Sequence, residues 1–430
     1  MFSYVALTVL GLVSAWLPLL SLILVARFCY GTLDAFCTYS SFILLMEVME
    51  PKRRTIAAFG INTVWGVTVL LYGGLGYLIR DWRILQTAAT LPGLLILPAL
   101  WGIDESPLWL IVNGRPQEAL QVFGKMARWH GVDLPPEAEM KKLVEEQAAE
   151  AQITTPKRSS MGSLLKSVVD DVVILLKTPR LRTITLTIYF IYIVVAMVYY
   201  GLSLSGASIS DDPYLYLVLS GLMELPAYIF SGFIVQYFGR KPSLFSSFLI
   251  TTAVLLAVAF TPAEYSTTLL ALAMVGKMAI TASFQMIIFF SGELFPTEVR
   301  SRGVSTAVMM SRLGSMGAPF ITDLVPMYPW APFVIFGSGA LLAGAGTFLL
   351  PETRGQVLPD TLAHLEARER SKSATSKHIR QWVTTNVRDM QDDRQHIVSN
   401  LVISDSSRRK TLVELNPSFS VHNVITHGIV

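Results

Sequence analysis

Four charged side chains lie deep within long apolar stretches of this sequence: Asp34, Glu224, Lys277 and Arg312. A charge at the centre of a bilayer costs about 2.5–3.5 kcal/mol on insertion scales, so such residues normally face a partner or a water-filled cavity. The two acids and two bases could neutralise one another. Alternatively, they line a mid-membrane binding site, where the acids receive an ammonium group and Arg312 receives a carboxylate. The residue pattern leaves both interpretations open.

Aromatic and amide side chains are further candidates for the same site. Tyr192 and Tyr199 are seven residues apart in one apolar stretch, so they would share a face of a helix. Aromatic faces attract ammonium groups through cation–π interactions, although an aromatic stripe is also typical of packing in membrane bundles. Gln285 is a polar group within another apolar stretch. We predict that these three residues contribute to substrate binding together with the four charges.

The elements that must position these residues are membrane-spanning helices. The 430-residue chain is 52% hydrophobic and 15% charged. Its apolar runs reach the length of about 20 residues that a helix needs to cross the hydrocarbon core. The sequence therefore predicts an all-α membrane protein. Ten predicted spans cover residues 2–16, 18–46, 55–78, 84–103, 184–204, 213–236, 242–261, 266–291, 303–323 and 330–350.

Two similar segments that close apolar runs predict a duplicated bundle. Glu47 ends one run and Arg54 follows seven residues later, and Glu293 and Arg300 repeat the pattern. The copies follow the second and the eighth predicted spans, an offset of six. A repeated six-span unit needs twelve spans, and duplicated membrane bundles are mostly transporters. We therefore predict four spans of a first repeat and a complete second repeat, with two further helices expected before Met1.

The distribution of lysine and arginine predicts the orientation of the bundle. One set of connections is rich in these residues, whereas the opposite set holds only Arg80 and Arg83. We predict a multi-pass protein, in the plasma membrane, with both termini in the cytosol. The predicted parts are an incomplete N-terminal helical bundle (1–104), a cytosolic linker with amphipathic helices (105–183), a C-terminal six-helix bundle (184–350) and a largely disordered cytosolic tail (351–430).

Charges at the cytosolic ends of the predicted helices are candidates for a gate. A carboxylate at one helix end, close to basic residues of another, forms a lock that can break when two halves rock apart. Such basic clusters also serve as simple positive-inside anchors, which is the alternative interpretation. The predicted gating residues are Glu47, Arg54, Arg240, Lys241, Glu293, Arg300 and Arg302.

The sequence carries no sign of a cofactor or of catalytic chemistry. All six histidines lie outside the predicted spans, which argues against an intramembrane histidine metal site. No nucleophile–base set or nucleotide-binding loop is present, so we do not expect an enzyme. The net charge of +3 reflects the topological bias and implies no nucleic-acid partner. Coupling to Na⁺ or H⁺ is compatible with the pattern, and the oligomeric state stays open.

Several segments together resemble the organic-ion transporters of solute carrier family 22, within the major facilitator superfamily. The resemblance extends from residue 1 to about residue 368, and the first two segments named below are its most specific part. The segments are Val198-Tyr-Tyr-Gly-Leu-Ser-Leu204, Gly221-Leu-Met-Glu-Leu-Pro-Ala-Tyr228, Phe238-Gly-Arg-Lys-Pro242, Gly292-Glu-Leu-Phe-Pro-Thr-Glu-Val-Arg300 and Leu350-Pro-Glu-Thr-Arg-Gly355.

This resemblance implies a twelve-span fold that works by alternating access, with a small organic cation or a carnitine-like zwitterion as substrate. At the position of Arg312, cation-selective members of the family tend to carry an acid, and anion- or carnitine-type members an arginine. Asp34, in contrast, favours a cationic group. Two alternatives stay open: a transport-inactive, truncated isoform that acts on a full-length partner, and a sugar or organic-anion porter.

Overall fold

The structure is a computed structural model that describes residues 2–48, 54–100, 102–131, 135–154, 173–210, 212–262, 264–296 and 299–355. Throughout these ranges the ordered elements are helices joined by short turns. Most of the predicted cytosolic tail lies outside the described residues. Each of the ten predicted spans is present as a helix, which confirms the all-α prediction.

The first group contains four helices that correspond to the first four predicted spans: α1 (Phe2–Ala15), α2 (Leu20–Val48), α3 (Arg54–Leu78) and α4 (Trp82–Leu100). Helix α4 contains Pro92 and Pro98, and each proline removes a backbone N–H donor inside an apolar segment. Helix α1 packs against α2 and α4, whereas α3 packs mainly against a helix beyond residue 178.

Three helices follow in the linker region and pack on one another: α5 (Pro107–Val112), α6 (Pro116–His130) and α7 (Glu137–Thr154). The hydroxyl oxygen of Ser106 accepts a hydrogen bond from the backbone N–H of Trp109 and caps α5. These three helices share a small apolar core, and the assignment of the region as a cytosolic linker stays a prediction. That core contains Leu110, Ile111, Ala119, Val122 and Val144, with Leu120, Phe123 and Met126 packed against it.

The second group contains the helices α8 (Pro179–Leu204), the short α9 (Gly206–Ile209), α10 (Pro213–Phe238), α11 (Arg240–Phe260), α12 (Ser266–Leu294), α13 (Arg300–Thr322) and α14 (Ala331–Thr347). Pro179 occupies the first turn of α8, where a missing N–H is tolerated. Pro213 starts α10 in the same way, and the Asp212 carboxylate accepts a hydrogen bond from the N–H of Tyr214 at 2.9 Å.

Six of the described helices are long and apolar enough to cross a membrane. They are α2 and α3 of the first group, and α8, α10, α11 and α12 of the second. Helices α1 and α14 are apolar but shorter. Helix α13 contains three arginines, which lower its hydropathy although it occupies a predicted span.

The first and second groups meet where α3 packs closely against α10. A Cβ atom on Gly221 of α10 would lie 2.6 Å from the backbone nitrogen of Leu70, and one on Gly73 would lie 2.9 Å from that of Val218. Only glycine permits this approach of the two backbones. The contact places Trp65 of α3 against the polar centre of the second group.

Candidate mid-membrane binding site

The centre of the second group holds a buried ion pair. The Nζ atom of Lys277 on α12 lies 3.3 Å from the Oε1 atom of Glu224 on α10, and both side chains are only 1% exposed. Ions removed from water at this depth need compensating partners. In this structure Glu224 and Lys277 are partners of each other, and a role of either residue in substrate binding stays a prediction.

Three α8 groups complete the shell around the Lys277 ammonium. Its Nζ atom lies 3.3 Å from the centroid of the Tyr199 ring. It also donates to the backbone carbonyl of Tyr199 at 3.3 Å and to the Ser203 hydroxyl at 2.5 Å. An aromatic face and a carboxylate on one ammonium form the arrangement that proteins use to bind organic cations.

The hydroxyl of Tyr199 connects this cluster to the first group. It donates to Oε1 of Glu224 at 2.6 Å and accepts a hydrogen bond from the indole N–H of Trp65 at 3.2 Å. Because an indole nitrogen can only donate, the direction of this chain runs from Trp65 through Tyr199 to Glu224. The buried carboxylate is thus linked to α3, across the boundary between the two groups.

Arg312 and Asp34 are placed differently from the buried pair. Arg312 is exposed on α13, where its polar neighbours are Tyr200 on α8 and Tyr39 on α2. The ring of Tyr200 packs edge-on against that of Tyr199, with centroids 5.2 Å apart. Two adjacent tyrosines, Tyr200 and Tyr199, therefore lie between Arg312 and the ammonium site. Asp34 is exposed on α2 beside Tyr30.

The remaining predicted binding residues lie on the same two helices, α8 and α12. Tyr192 is fully buried, and its hydroxyl lies 3.1 Å from that of Ser291. Phe284 packs edge-on against both Tyr192 and Tyr199, at 6.5 Å and 5.8 Å between centroids. Gln285 is 2% exposed, and no described residue accepts a hydrogen bond from its Nε2 atom. That amide is therefore a buried donor with no partner among the described residues.

A second charged cluster lies at the predicted cytosolic end of the second group. Arg240, at the start of α11, donates from Nε and Nη2 to both carboxylate oxygens of Glu293, at 2.9 and 2.7 Å. This two-pronged geometry is the strongest that an arginine and a carboxylate adopt. The hydroxyl of Thr353 donates to the same carboxylate at 2.5 Å. Arg240 lies on α11, and Thr353 follows α14 in the chain.

Glu352 stabilises the same corner through the backbone. Its carboxylate accepts hydrogen bonds from the first two N–H groups of α11, those of Arg240 at 3.1 Å and Lys241 at 2.9 Å. A carboxylate at a helix N-terminus satisfies unpaired donors and complements the helix dipole. Partial burial acts to raise the pKa of Glu352, but these N–H groups and those of Thr353 and Arg354 outweigh it and lower that pKa below its ordinary value.

The other predicted gating residues are spread around the helix ends. Lys241 donates to the Phe348 carbonyl at 2.8 Å. Arg300 donates to the carbonyl of Phe295 at 3.3 Å, and Arg302 is exposed on α13. In the first group, Glu47 is exposed near the end of α2 and Arg54 is the first residue of α3. Gating by these residues stays a prediction.

Some contributors carried no distinguishing signal in the sequence. Trp65 and Phe284 are single aromatic residues in apolar runs, and only the contact between helices shows their role. Ser203 and Thr353 lie inside segments that the sequence singled out, so their neighbourhood could have been suspected. The hydrogen-bond partners of Ser203 and Thr353, however, could not be predicted from the sequence.

The described residues thus combine six helices of membrane length with an ion pair buried at the centre of the second group. The sequence matches the family described as sugar (and other) transporter over residues 1–361. This chain belongs to that family.

The similar curated proteins include members of solute carrier family 22 and organic cation transporters. The human solute carrier family 22 member 13 is 34% identical over 86% of this chain and 64% of its own length. The organic cation transporter protein of Drosophila melanogaster is 33% identical over 84% of the chain and 64% of its own length. The human organic cation/carnitine transporter 2 is 31% identical over 75% of the chain. The resemblance to solute carrier family 22 is confirmed, and the chain spans just under two thirds of the first two relatives.

Solved structures show the fold. The proton:xylose symporter XylE of the major facilitator superfamily superimposes with a TM-score of 0.57, at 19% identity, over 83% of this chain and 80% of that one. An inward-open form of XylE from E. coli gives a TM-score of 0.59 at 17% identity, over 85% and 80% of the two chains. The chain therefore has a major facilitator superfamily fold.

Proposed function

We propose that this protein carries small organic cations or zwitterions, such as carnitine-like compounds, across the plasma membrane by alternating access. The observation that carries the proposal is the ammonium site formed by Glu224 and Tyr199. It already holds the ammonium of Lys277, 3.3 Å from both the carboxylate oxygen and the ring centroid. The names of the similar organic cation and carnitine transporters support the same class of substrate.

The second half of the site is Arg312. A guanidinium binds a carboxylate through two parallel hydrogen bonds, and this one is exposed rather than committed to an acid in the same group. It is linked to the ammonium site through the packed rings of Tyr200 and Tyr199. A substrate with both an ammonium and a carboxylate would therefore have a partner for each end. The unpaired Nε2 atom of Gln285 adds a hydrogen-bond donor on α12.

Alternating access requires contacts that differ between the two states. The hydrogen bond from Trp65 to Tyr199 crosses from the first group to the second, so relative movement of the groups would break it. At the predicted cytosolic end, Arg240, Glu293 and Thr353 hold helices of the second group together. We propose that this corner moves as one unit and meets Glu47 and Arg54 when the cytosolic side closes, with both termini in the cytosol.

The proposal is tested by uptake of labelled carnitine and labelled tetraethylammonium into cells that express the protein. Replacing Arg312 with alanine is expected to reduce carnitine uptake about tenfold or more and tetraethylammonium uptake far less, because only carnitine carries a carboxylate. The Glu224→Gln variant is expected to impair uptake of both probes, because both carry a quaternary ammonium group.

The matched control is Arg83→Ala. Arg83 is a partly exposed arginine that packs over the Trp82 ring, outside the site. It should leave both uptakes near the wild-type value. Equal loss of both probes in Arg312→Ala, with normal surface expression, contradicts the role of Arg312. Absence of uptake of either probe by the wild-type protein contradicts the proposed function.

A further inference from the structure

The ammonium site of the second group is filled by a side chain of the protein itself. A lysine ammonium has three N–H donors. Those of Lys277 have three acceptors: a carboxylate oxygen of Glu224, the carbonyl of Tyr199 and the hydroxyl of Ser203. The ring of Tyr199 covers the same ammonium. The site is thus fully satisfied and closed.

From this geometry we propose that Lys277 is a tethered competitor, and that an organic cation reaches Glu224 and Tyr199 only by displacing its ammonium. The inference rests on the proposed function, and it adds that a ligand of this site must compete with the Lys277 ammonium. Affinity for a cation is then set by exchange with Lys277.

Electrostatics makes the exchange obligatory. The single carboxylate within bonding distance of this ammonium among the described residues is Glu224, and it is 1% exposed. Two ammonium groups on one buried carboxylate would leave an uncompensated positive charge, whereas removal of both would leave an uncompensated negative one. One cation in place of another keeps the buried charge balanced. The flexible four-carbon stem of lysine allows its head group to withdraw.

The Lys277→Met variant tests this directly, because it removes the competitor and leaves Glu224 without a cation. We expect purified Lys277→Met to unfold at a lower temperature than the wild type in buffer alone. Tetraethylammonium should restore its stability. Half-maximal stabilisation is expected at a concentration about tenfold or more below that needed for the wild type, because the binding-competent fraction no longer competes with an internal cation.

Two further variants complete the experiment. The double variant Lys277→Met with Glu224→Gln has no buried charge left, so it should fold without tetraethylammonium and gain no stability from it. Lys142→Met removes an exposed lysine of the linker, 78% exposed, and should respond to tetraethylammonium as the wild type does.

The inference is overturned if tetraethylammonium stabilises Lys277→Met no more than the wild type, or stabilises the double variant equally. It is also overturned if Lys277→Met cannot be isolated folded with tetraethylammonium present while the double variant can. Binding of tetraethylammonium is measured through protein stability, and transport is measured through uptake. The proposal for Lys277 and the proposed function can therefore fail separately. If tetraethylammonium stabilises Lys277→Met as expected but the wild type takes up neither probe, the proposal of competition by Lys277 is supported and the proposed transport function is contradicted.

Discussion

The two helical groups of this protein bury their apolar surfaces to very different extents. In the span windows of α2 and α3, 6% and 17% of the residues are buried inside the structure. In α8, α10, α11 and α12 the share is between 39 and 61%. The second group is therefore packed as a core, whereas the faces of the first group are open to lipid or to other helices.

This difference explains where the intramembrane charges can act. Glu224 and Lys277 lie in the packed group, where a polar atom must find a partner within the protein, and each has several. Asp34 lies in the open group and is exposed. The two acidic residues thus differ: Glu224 is a fixed part of a buried cluster, and Asp34 is an accessible charge.

The largest expected effect contrasts the two acids. Glu224→Gln leaves Lys277 as a buried cation without its acid, so we expect a loss of about 3–5 kcal/mol in the free energy of unfolding. Asp34→Asn alters an exposed side chain and should change that free energy by about 0.5 kcal/mol or less. Thermal unfolding of the purified variants compares them. Similar losses in both would refute the distinction between the two groups.

The next effect contrasts two glycines of α13. A Cβ atom on Gly314 would collide with the carbonyl oxygen of Ile193 on α8, whereas one on Gly317 would meet nothing within 4 Å. We therefore expect Gly314→Ala to destabilise the second group by about 1–3 kcal/mol through overpacking. Gly317→Ala should be neutral, or stabilising by up to about 1 kcal/mol.

The same unfolding assay measures both glycine variants, and uptake of tetraethylammonium shows whether the shifted helix disturbs the site. If Gly314→Ala were as stable as Gly317→Ala, the close packing of α8 on α13 would be wrong. In that case α13 would not hold α8, which carries Tyr199, in a fixed position.

The sequence predicted the helices well because spans of about 20 apolar residues are a strong local signal. The observed α10, Pro213–Phe238, differs from the predicted 213–236 by two residues at one end. The sequence also identified Glu224 and Lys277 as unusual, since charges in apolar runs are rare. Their pairing depends on the rotation of α10 and α12 about their axes, which no local pattern encodes.

The corner at the predicted cytosolic end was anticipated less completely for the same reason. Glu293 was singled out by the repeat, and Arg240 by its basic turn, but their direct pairing and the contact with Thr353 join residues 53 to 60 positions apart. In the sequence, Glu352 stood out only as part of the segment Leu350-Pro-Glu-Thr-Arg-Gly355, which carries the family resemblance. Its capping of α11 spans 112 positions, so only the folded structure brings it into view.

The smallest effect concerns pH and this corner. Because the folded-state pKa of Glu352 lies below its unfolded value of about 4.3, its contribution to stability is complete above that value. It is lost as pH falls through the folded-state pKa. We expect Glu352→Gln to lower the unfolding temperature at pH 7 and to leave it less sensitive to acidification between about pH 5 and pH 3. Glu146→Gln, an exposed change in the linker, should follow the wild type. Parallel pH profiles for all three proteins would contradict the capping role.

The most direct test of the central claim is the ratio of tetraethylammonium to carnitine uptake in an Arg312→Asp variant. If Arg312 receives the carboxylate of the substrate beside the ammonium site, the charge reversal repels carnitine and spares the permanent cation. The ratio is then expected to rise at least about tenfold over the wild type, at equal surface expression. An unchanged ratio would contradict a mid-membrane site in which Arg312 and Glu224 bind opposite ends of one organic ion.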